Sequence, residues 1–150
     1  MPQSLSQVLL HIIFSTKNRY PFIDEGIAPE LYDYLGGTCL QLGCQPLKVG
    51  GHLDHVHISC ALSRTLAIMD LLKKVKQESS KWMKTKGSEY VGFYWQDGYA
   101  AFSFSLKEAS RIVHYIENQK SHHRFMNFQD ECRGLFQKYG IEWDERYVWD

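Results

Sequence analysis

Two histidines separated by one residue, His55-Val56-His57, are the clearest pair in the chain whose types and spacing could do chemistry. On an extended strand, residues i and i+2 share a face, roughly 6.5–7 Å apart. Two imidazoles leaning together from there can grip one divalent metal ion, for which ring nitrogen is a common ligand. As plain core residues they would be costly, because buried ring nitrogens need partners. Asp54, just before the pair, either ends the preceding loop or orients one of the rings.

The surrounding residues narrow the chemistry. A nucleotide hydrolase of the histidine-triad kind would place a third histidine at position 59, where this chain has serine. A two-histidine phosphoesterase would repeat an H-x-T/S motif, and His57-Ile58-Ser59 has no partner. A second constellation lies downstream, in Tyr115-x-x-x-Gln119. On a helix these two residues stand about 40° apart. They sit on the shoulder of an apolar stripe formed by Ala109, Ile112, Val113 and Ile116. Gln119 can offer an amide oxygen as a third, neutral metal ligand. Tyr115, one turn earlier, can act as a covalent nucleophile if a nearby cation helps its phenol, ordinarily of pKa about 10, to lose its proton.

The elements that must position these groups are legible from periodicity and turn residues. Gln7 to Phe14 predicts a central strand closed by Ser15, Thr16 and Lys17. Leu31, Tyr34, Leu35, Thr38 and Leu42 predict a helix over 27–42, with Gly36-Gly37 in its middle. Cys44 to Val49 and His55 to Leu62 predict a hairpin, with Gly50-Gly51 as its turn. A helix follows over 65–84, on a stripe of Leu66, Met69, Leu72, Val75 and Met83. Tyr99 to Phe104 predicts a strand. Ser105 with Glu108 makes a capping box for a helix running to about Lys120. A last helix runs from Arg124 to Tyr139 and stops at Gly140. The order β-α-β-β-α-β plus two helices predicts an α+β, ferredoxin-like split β-α-β. It implies an antiparallel sheet with helices on one face and C-terminal helices added. No repeat or linker divides residues 1–150, so one domain is expected.

Composition sets bounds rather than a function. The chain is 44% hydrophobic and 14% aromatic, which excludes disorder. Seventeen basic and seventeen acidic residues give no net charge, so phosphate binding must rely on local patches. The lysines of the 65–84 helix make one such patch. Cys39, Cys44, Cys60 and Cys132 contain no C-x-x-C pair and read as reduced, buried thiols. The N-terminal apolar run lacks a basic flank and is too short to cross a bilayer, which predicts a cytoplasmic protein.

Taken together, the segments HIIFSTKNRYPFI, VGGHLDHVHI, WQDGYAAFSFS and HYIENQKSHH resemble the single-tyrosine transposases of the insertion-sequence 200/605 group. These belong to the wider His-hydrophobic-His endonucleases. The resemblance implies that His55, His57 and Gln119 hold Mg2+ or Mn2+ and that Tyr115 is the nucleophile. It implies single-stranded DNA with hairpins as the substrate, a 5′-phosphotyrosine intermediate, no nucleotide cofactor, and a homodimer working at a prokaryotic nucleoid. Lys73, Lys74, Lys76, Lys81 and Lys84, with Lys17 and Arg19, are the expected DNA contacts. His114, His122 and His123 read as surface or DNA-contact groups. Two rival readings are a related nickase of replication or conjugation, which usually has a larger chain, and a non-catalytic ferredoxin-like binder, which would carry aromatics on its sheet face.

Overall fold

A computed structural model describes residues 2–150. Four strands form one antiparallel sheet: β1 (Leu9–Ser15), β2 (Pro46–His52), β3 (His55–Ala61) and β4 (Ala100–Phe104). Their order is β2-β3-β1-β4, with the apolar run of β1 in the centre as its sequence predicts. Two long helices, α1 (Ala28–Gln41) and α2 (Ile68–Lys84), supply the α elements of the split β-α-β. Three shorter ones follow: α3 (Ala109–Glu117), α4 (Gln119–His122) and α5 (Phe128–Lys138).

The alternation of β1 divides the molecule. Leu10, Ile12 and Phe14 join Val56, Ile58 and Cys60 of β3 in a core closed by Leu31 and Leu35 of α1 and Leu71, Leu72 and Val75 of α2. The residues between them point the other way. Leu9 packs with Phe104, Ile112 and Ile116 under α3. Ile13 packs with Phe102, Phe128, Cys132 and Phe136 under α5. Between these apolar groups the second face carries His11, His55, His57 and Ser59, all buried. The helices after β4 therefore roof a polar strip, and the strand pairing Ile13↔His57 and Ser15↔His55 aligns it. A sheet-face nucleic-acid binder needs that face open to bases, so the roof argues against that rival.

Three boundaries differ from the sequence reading, each for a physical reason. Gly50 and Gly51 lie inside β2, and the hairpin turns at Leu53 and Asp54. Gly50 is small because α3 crosses there: a Cβ at Gly50 would come within 2.8 Å of the Ile116 carbonyl oxygen. The helix expected over 106–120 is broken. A 3-10 turn at Leu106–Glu108 precedes α3, and Asn118 (φ −96, ψ 17) separates α3 from α4. The Ser105 hydroxyl meets the Glu108 carboxylate at 3.3 Å instead of capping a backbone N–H. The last helix starts at Phe128 because Asn127, extended at its N-cap, accepts from the Asp130 N–H at 2.8 Å. It ends before Gly140, whose φ of +67 only glycine adopts freely.

Gly50 carries a prediction. Gly50→Ala must push α3, and Tyr115 with it, off the sheet. On the activity that the resemblance implies, displacement on the ångström scale costs about 100-fold in well-positioned reactions, so DNA cleavage is expected to fall by about that factor. Because α3 leads directly into Gln119, affinity for a divalent metal should fall with it. Calorimetric metal titration beside a cleavage assay checks both.

A candidate metal and tyrosine centre

The strand histidines converge on a residue that the spacing arguments do not single out. Glu131, on α5, is 3% exposed. Its Oε1 lies 3.4 Å from His55 Nε2, 3.3 Å from His57 Nε2 and 3.0 Å from His123 Nε2. Its Oε2 faces the other way. It accepts from the Tyr115 hydroxyl and from Gln119 Nε2 at 3.0 Å, with His122 Nε2 at 3.5 Å. Gln119 turns its own Oε1 toward His55 Nε2 and His123 Nε2, 3.0 Å from each. His55, His57, Gln119 and Tyr115 are thus brought together within one chain. His55, His57 and Glu131 form a group that could hold a metal ion.

The far ring nitrogens are tied down. His55 Nδ1 donates to Asp54 Oδ1 at 2.8 Å, so Asp54 both ends the hairpin and orients the ring. His57 Nδ1 meets His11 Nε2 at 2.8 Å. His123 Nδ1 donates to the Met126 carbonyl at 2.6 Å. Such outer partners fix the orientation and tautomer of metal-binding imidazoles. His123 is buried in the cluster, not on the surface as its sequence context suggests; His114 is exposed and bonds Asn118. Two sequence signals point to the missed residues. Phe128, Cys132 and Phe136 mark the buried stripe of α5, and Glu131 is an acid on that stripe. His123 is the second half of a histidine doublet directly after the Tyr-x-x-x-Gln motif.

Electrostatics follow from burial against charge. For Glu131, burial alone would raise the pKa, but His57, His123 and His55 around it hold the carboxyl far below the usual range. Burial likewise opposes the charged form of His55, yet Asp54 and Glu131 outweigh it and push that ring up to about 9. Burial, with His57 beside it, drives His11 down to about 3. Burial and then the Glu131 carboxylate raise the Tyr115 phenol.

These shifts predict a pH optimum for the stability of the metal-free protein. His55 is raised above its ordinary 6.5, so its contribution is complete below pH 6.5 and lost as pH climbs to about 9. His11 is depressed, so its contribution is present above pH 6.5 and lost as pH falls toward about 3. Glu131 acts in the same direction on the acid side, below its ordinary 4.5. Stability should fall on both sides of about pH 6.5; the alkaline loss from His55 is on the order of 3 kcal/mol and is partly offset above about pH 8 by Lys76, whose lowered pKa acts in the opposite direction. Urea titrations in chelator at pH 5, 6.5 and 9 test this; a flat alkaline limb would remove the His55 assignment.

The expected DNA-contact lysines lie on the other side of the sheet. Lys76 Nζ passes over Phe14 and donates to the carbonyls of Gln96 (3.0 Å), Asp97 (3.1 Å) and Gly98, pinning that loop. Burial draws its pKa down to about 8, against the pull of Asp97. Lys84 Nζ holds Ser80 Oγ at 2.7 Å and the Phe93 carbonyl. Lys74 pairs with Glu78 at 3.4 Å and Lys17 with Asp97 at 3.8 Å. Lys73 and Lys81 line an open groove of about 620 Å³ with Tyr94 and Tyr99. Arg19 sits in a short turn after β1 with a positive φ of 57.

An antiparallel ferredoxin-like sheet, with two strand histidines and a helical tyrosine sharing a buried acid, defines an α+β protein with a candidate metal centre beside a tyrosine hydroxyl. Residues 4–119 match the family described as IS200-like transposases, and the chain belongs to that family of insertion-sequence DNA transposases. The ISDra2 transposase TnpA of Deinococcus radiodurans is 27% identical over 118 residues, covering 75% of this chain and 84% of its own. A solved structure from D. radiodurans R1 assigned as a transposase superposes with a TM-score of 0.61 at 25% identity, over 79% of this chain and 98% of its own. The structure of a REP-associated tyrosine transposase bound to a REP hairpin gives 0.61 at 12% identity, over 84% and 74%, a likeness of fold. No helix among the described residues is long and apolar enough to cross a membrane.

Proposed function

We propose that this protein cleaves and rejoins single-stranded DNA at hairpin-marked element ends, using Tyr115 as nucleophile and a divalent metal, Mg2+ or Mn2+, held by His55, His57 and Gln119. The observation that carries the reading is the meeting of the Tyr115 hydroxyl and both strand histidines on one carboxylate, Glu131, within a single chain. The donor set fits a metal: two imidazole nitrogens with anchored far sides and an amide oxygen. When bound, a divalent metal polarises a phosphoryl oxygen and stabilises the charge that develops there.

The chain's own residues supply the rest. The strand histidines and Gln119 fix where the scissile phosphate rests. The α3 helix, seated by Ile112 and Ile116, delivers the Tyr115 oxygen to that phosphate. Glu131 Oε2, already bonded to the hydroxyl, holds it in place, and the phenolic proton passes to solvent as the phenolic oxygen bonds to phosphorus. The bond from phosphorus to the 3′ oxygen breaks, and that oxygen leaves as a hydroxyl after taking a proton from solvent. A 3′-hydroxyl from another cut end reverses the chemistry and reseals the strand. The phosphotyrosine conserves bond energy, so no nucleotide cofactor is consumed.

On this reading Tyr115 serves the histidines of its own chain. Moving an element needs two ends cut, which calls for two copies, so a homodimer at the nucleoid of a prokaryotic cytoplasm is part of the proposal. The lysine set narrows to groups with free ammonium ends, Lys73 and Lys81 first, because Lys76 and Lys84 are engaged by backbone carbonyls. The test is incubation with Mn2+ or Mg2+ and hairpin-bearing single strands from the element's ends, followed by denaturing electrophoresis. A protein–DNA adduct through the 5′ phosphate is expected. Its absence with every metal would leave only DNA binding.

A further inference from the structure

We infer that His123 and Glu131 complete the metal's ligand set, so that the centre is built from three imidazoles, a carboxylate and the Gln119 amide oxygen and selects a transition ion such as Mn2+ over Mg2+. The inference rests on the metal-assisted reading above and adds two ligands to it.

Three observations carry it. First, His55, His57 and His123 all aim Nε2 at Glu131 Oε1, at 3.4, 3.3 and 3.0 Å. Bonds of about 2.1 Å meeting at octahedral or tetrahedral angles place neighbouring ligand atoms roughly 3.0–3.4 Å apart, so Glu131 Oε1 stands at ligand spacing from each ring; it joins the metal-capable group His55, His57 and Glu131 to a second, His122, His123 and Glu131. Second, His123 is anchored as a ligand should be. Its Nδ1 donates to the Met126 carbonyl at 2.6 Å, which leaves Nε2 as the atom turned inward, as Asp54 does for His55. Third, Glu131 divides its work by oxygen. Oε1 faces the three imidazoles, while Oε2 holds Tyr115 and Gln119 Nε2, so ligation through one oxygen leaves the other on the nucleophile.

The consequence is metal choice. Mg2+ takes oxygen ligands and keeps several waters. Imidazole-rich sites favour first-row transition ions. Both added ligands lie beyond Gln119, where the family match ends, so the segment after the tyrosine helix would set the metal preference of this chain.

Two measurements test it. Calorimetric titration of the full chain with Mn2+ and with Mg2+ should give wild type a preference for Mn2+ of about 100-fold or more. His123→Asn should weaken Mn2+ by about 10- to 100-fold and Mg2+ by less. His114→Ala, on an exposed ring, should stay within about twofold for both metals. Because His123→Asn could disturb the fold, wild-type crystals soaked in Mn2+ give a second readout, with manganese located by its anomalous scattering. Manganese bonded to Nε2 of His55, His57 and His123 supports the inference. Manganese on the strand histidines with His123 turned away overturns it while leaving the metal-assisted reading intact. Failure of wild type to bind Mn2+ overturns both.

Discussion

Tyr115→Phe is expected to abolish the covalent DNA adduct, lowering strand cleavage by at least about 10⁴-fold, the scale on which removal of a nucleophile acts. The substitution is clean because the ring's surroundings do not depend on the hydroxyl. Tyr115 packs edge-on to His11 and His57, with centroids 5.9 and 5.7 Å away, and phenylalanine keeps those contacts. Glu131 Oε2 loses one donor but retains Gln119 Nε2 at 3.0 Å, so no buried charge is stranded. Hairpin affinity and Mn2+ affinity should therefore stay within a few-fold of wild type. The same arrangement explains why activity should require metal. Burial and the adjacent carboxylate raise the Tyr115 pKa, which makes the phenol a poor nucleophile on its own. A cation on the Oε1 side of Glu131 reverses that electrostatic penalty. Denaturing gels of labelled single strands read the result, and an adduct in Tyr115→Phe at the wild-type level would mean that another residue attacks.

Much of this arrangement was legible in the residues because it depends on local periodicity. Alternation along a strand places His55 and His57 on one face whatever packs above, and the central strand, hairpin and tyrosine helix follow from apolar patterning. What resisted reading was set by contacts between distant elements. Gly50-Gly51 looks like a turn because glycine usually marks one, yet the close approach of α3 is what demands it at Gly50. Lys76 looks like a free cation on a helix, yet the loop after Trp95 folds three carbonyls around it. Glu131 reads as one more solvent-facing acid until α5 is laid over the histidine strip. Its position on the Phe128–Cys132–Phe136 stripe is the hint, since a carboxylate is tolerated there only with partners able to offset its burial.

The packing also explains why the centre can be rigid without a large apolar core around it. Its rings are held from behind by Asp54, His11 and the Met126 carbonyl, and from the front by one carboxylate. Each hydrogen bond adds modest net stability, but a buried network in which these three rings are each bonded on both sides fixes orientation strongly; His122 Nε2, beside Glu131, is buried without a partner. The roofing helices α3 and α5 are seated by separate apolar groups, Ile112 and Ile116 for one and Phe128 and Phe136 for the other. Tyr115 and the Glu131 carboxylate thus come from independently packed elements that meet at one hydrogen bond.

That independence is what makes His57→Ala informative. We expect it to cut cleavage by at least about 10³-fold, in the range seen when a key charge-stabilising contact is lost, while hairpin DNA is still bound. His57 lies at the middle of the strip, between His11 and Glu131. Removing its ring takes away a metal ligand and leaves His11 Nε2 and Glu131 Oε1 each short of a neighbour, at a cost of about 1–3 kcal/mol in stability. Glu131 keeps His55 and His123, so its charge is still offset and the fold should survive. The open ammonium groups of Lys73 and Lys81 lie across the sheet, beyond the reach of this change. Binding to a labelled hairpin and cleavage of the same strand, measured side by side with the circular dichroism melt, separate the outcomes. Loss of binding in step with cleavage would mean that His57 holds the fold rather than the metal. Loss of cleavage alone, with Mn2+ affinity reduced, would place the ring in the coordination shell.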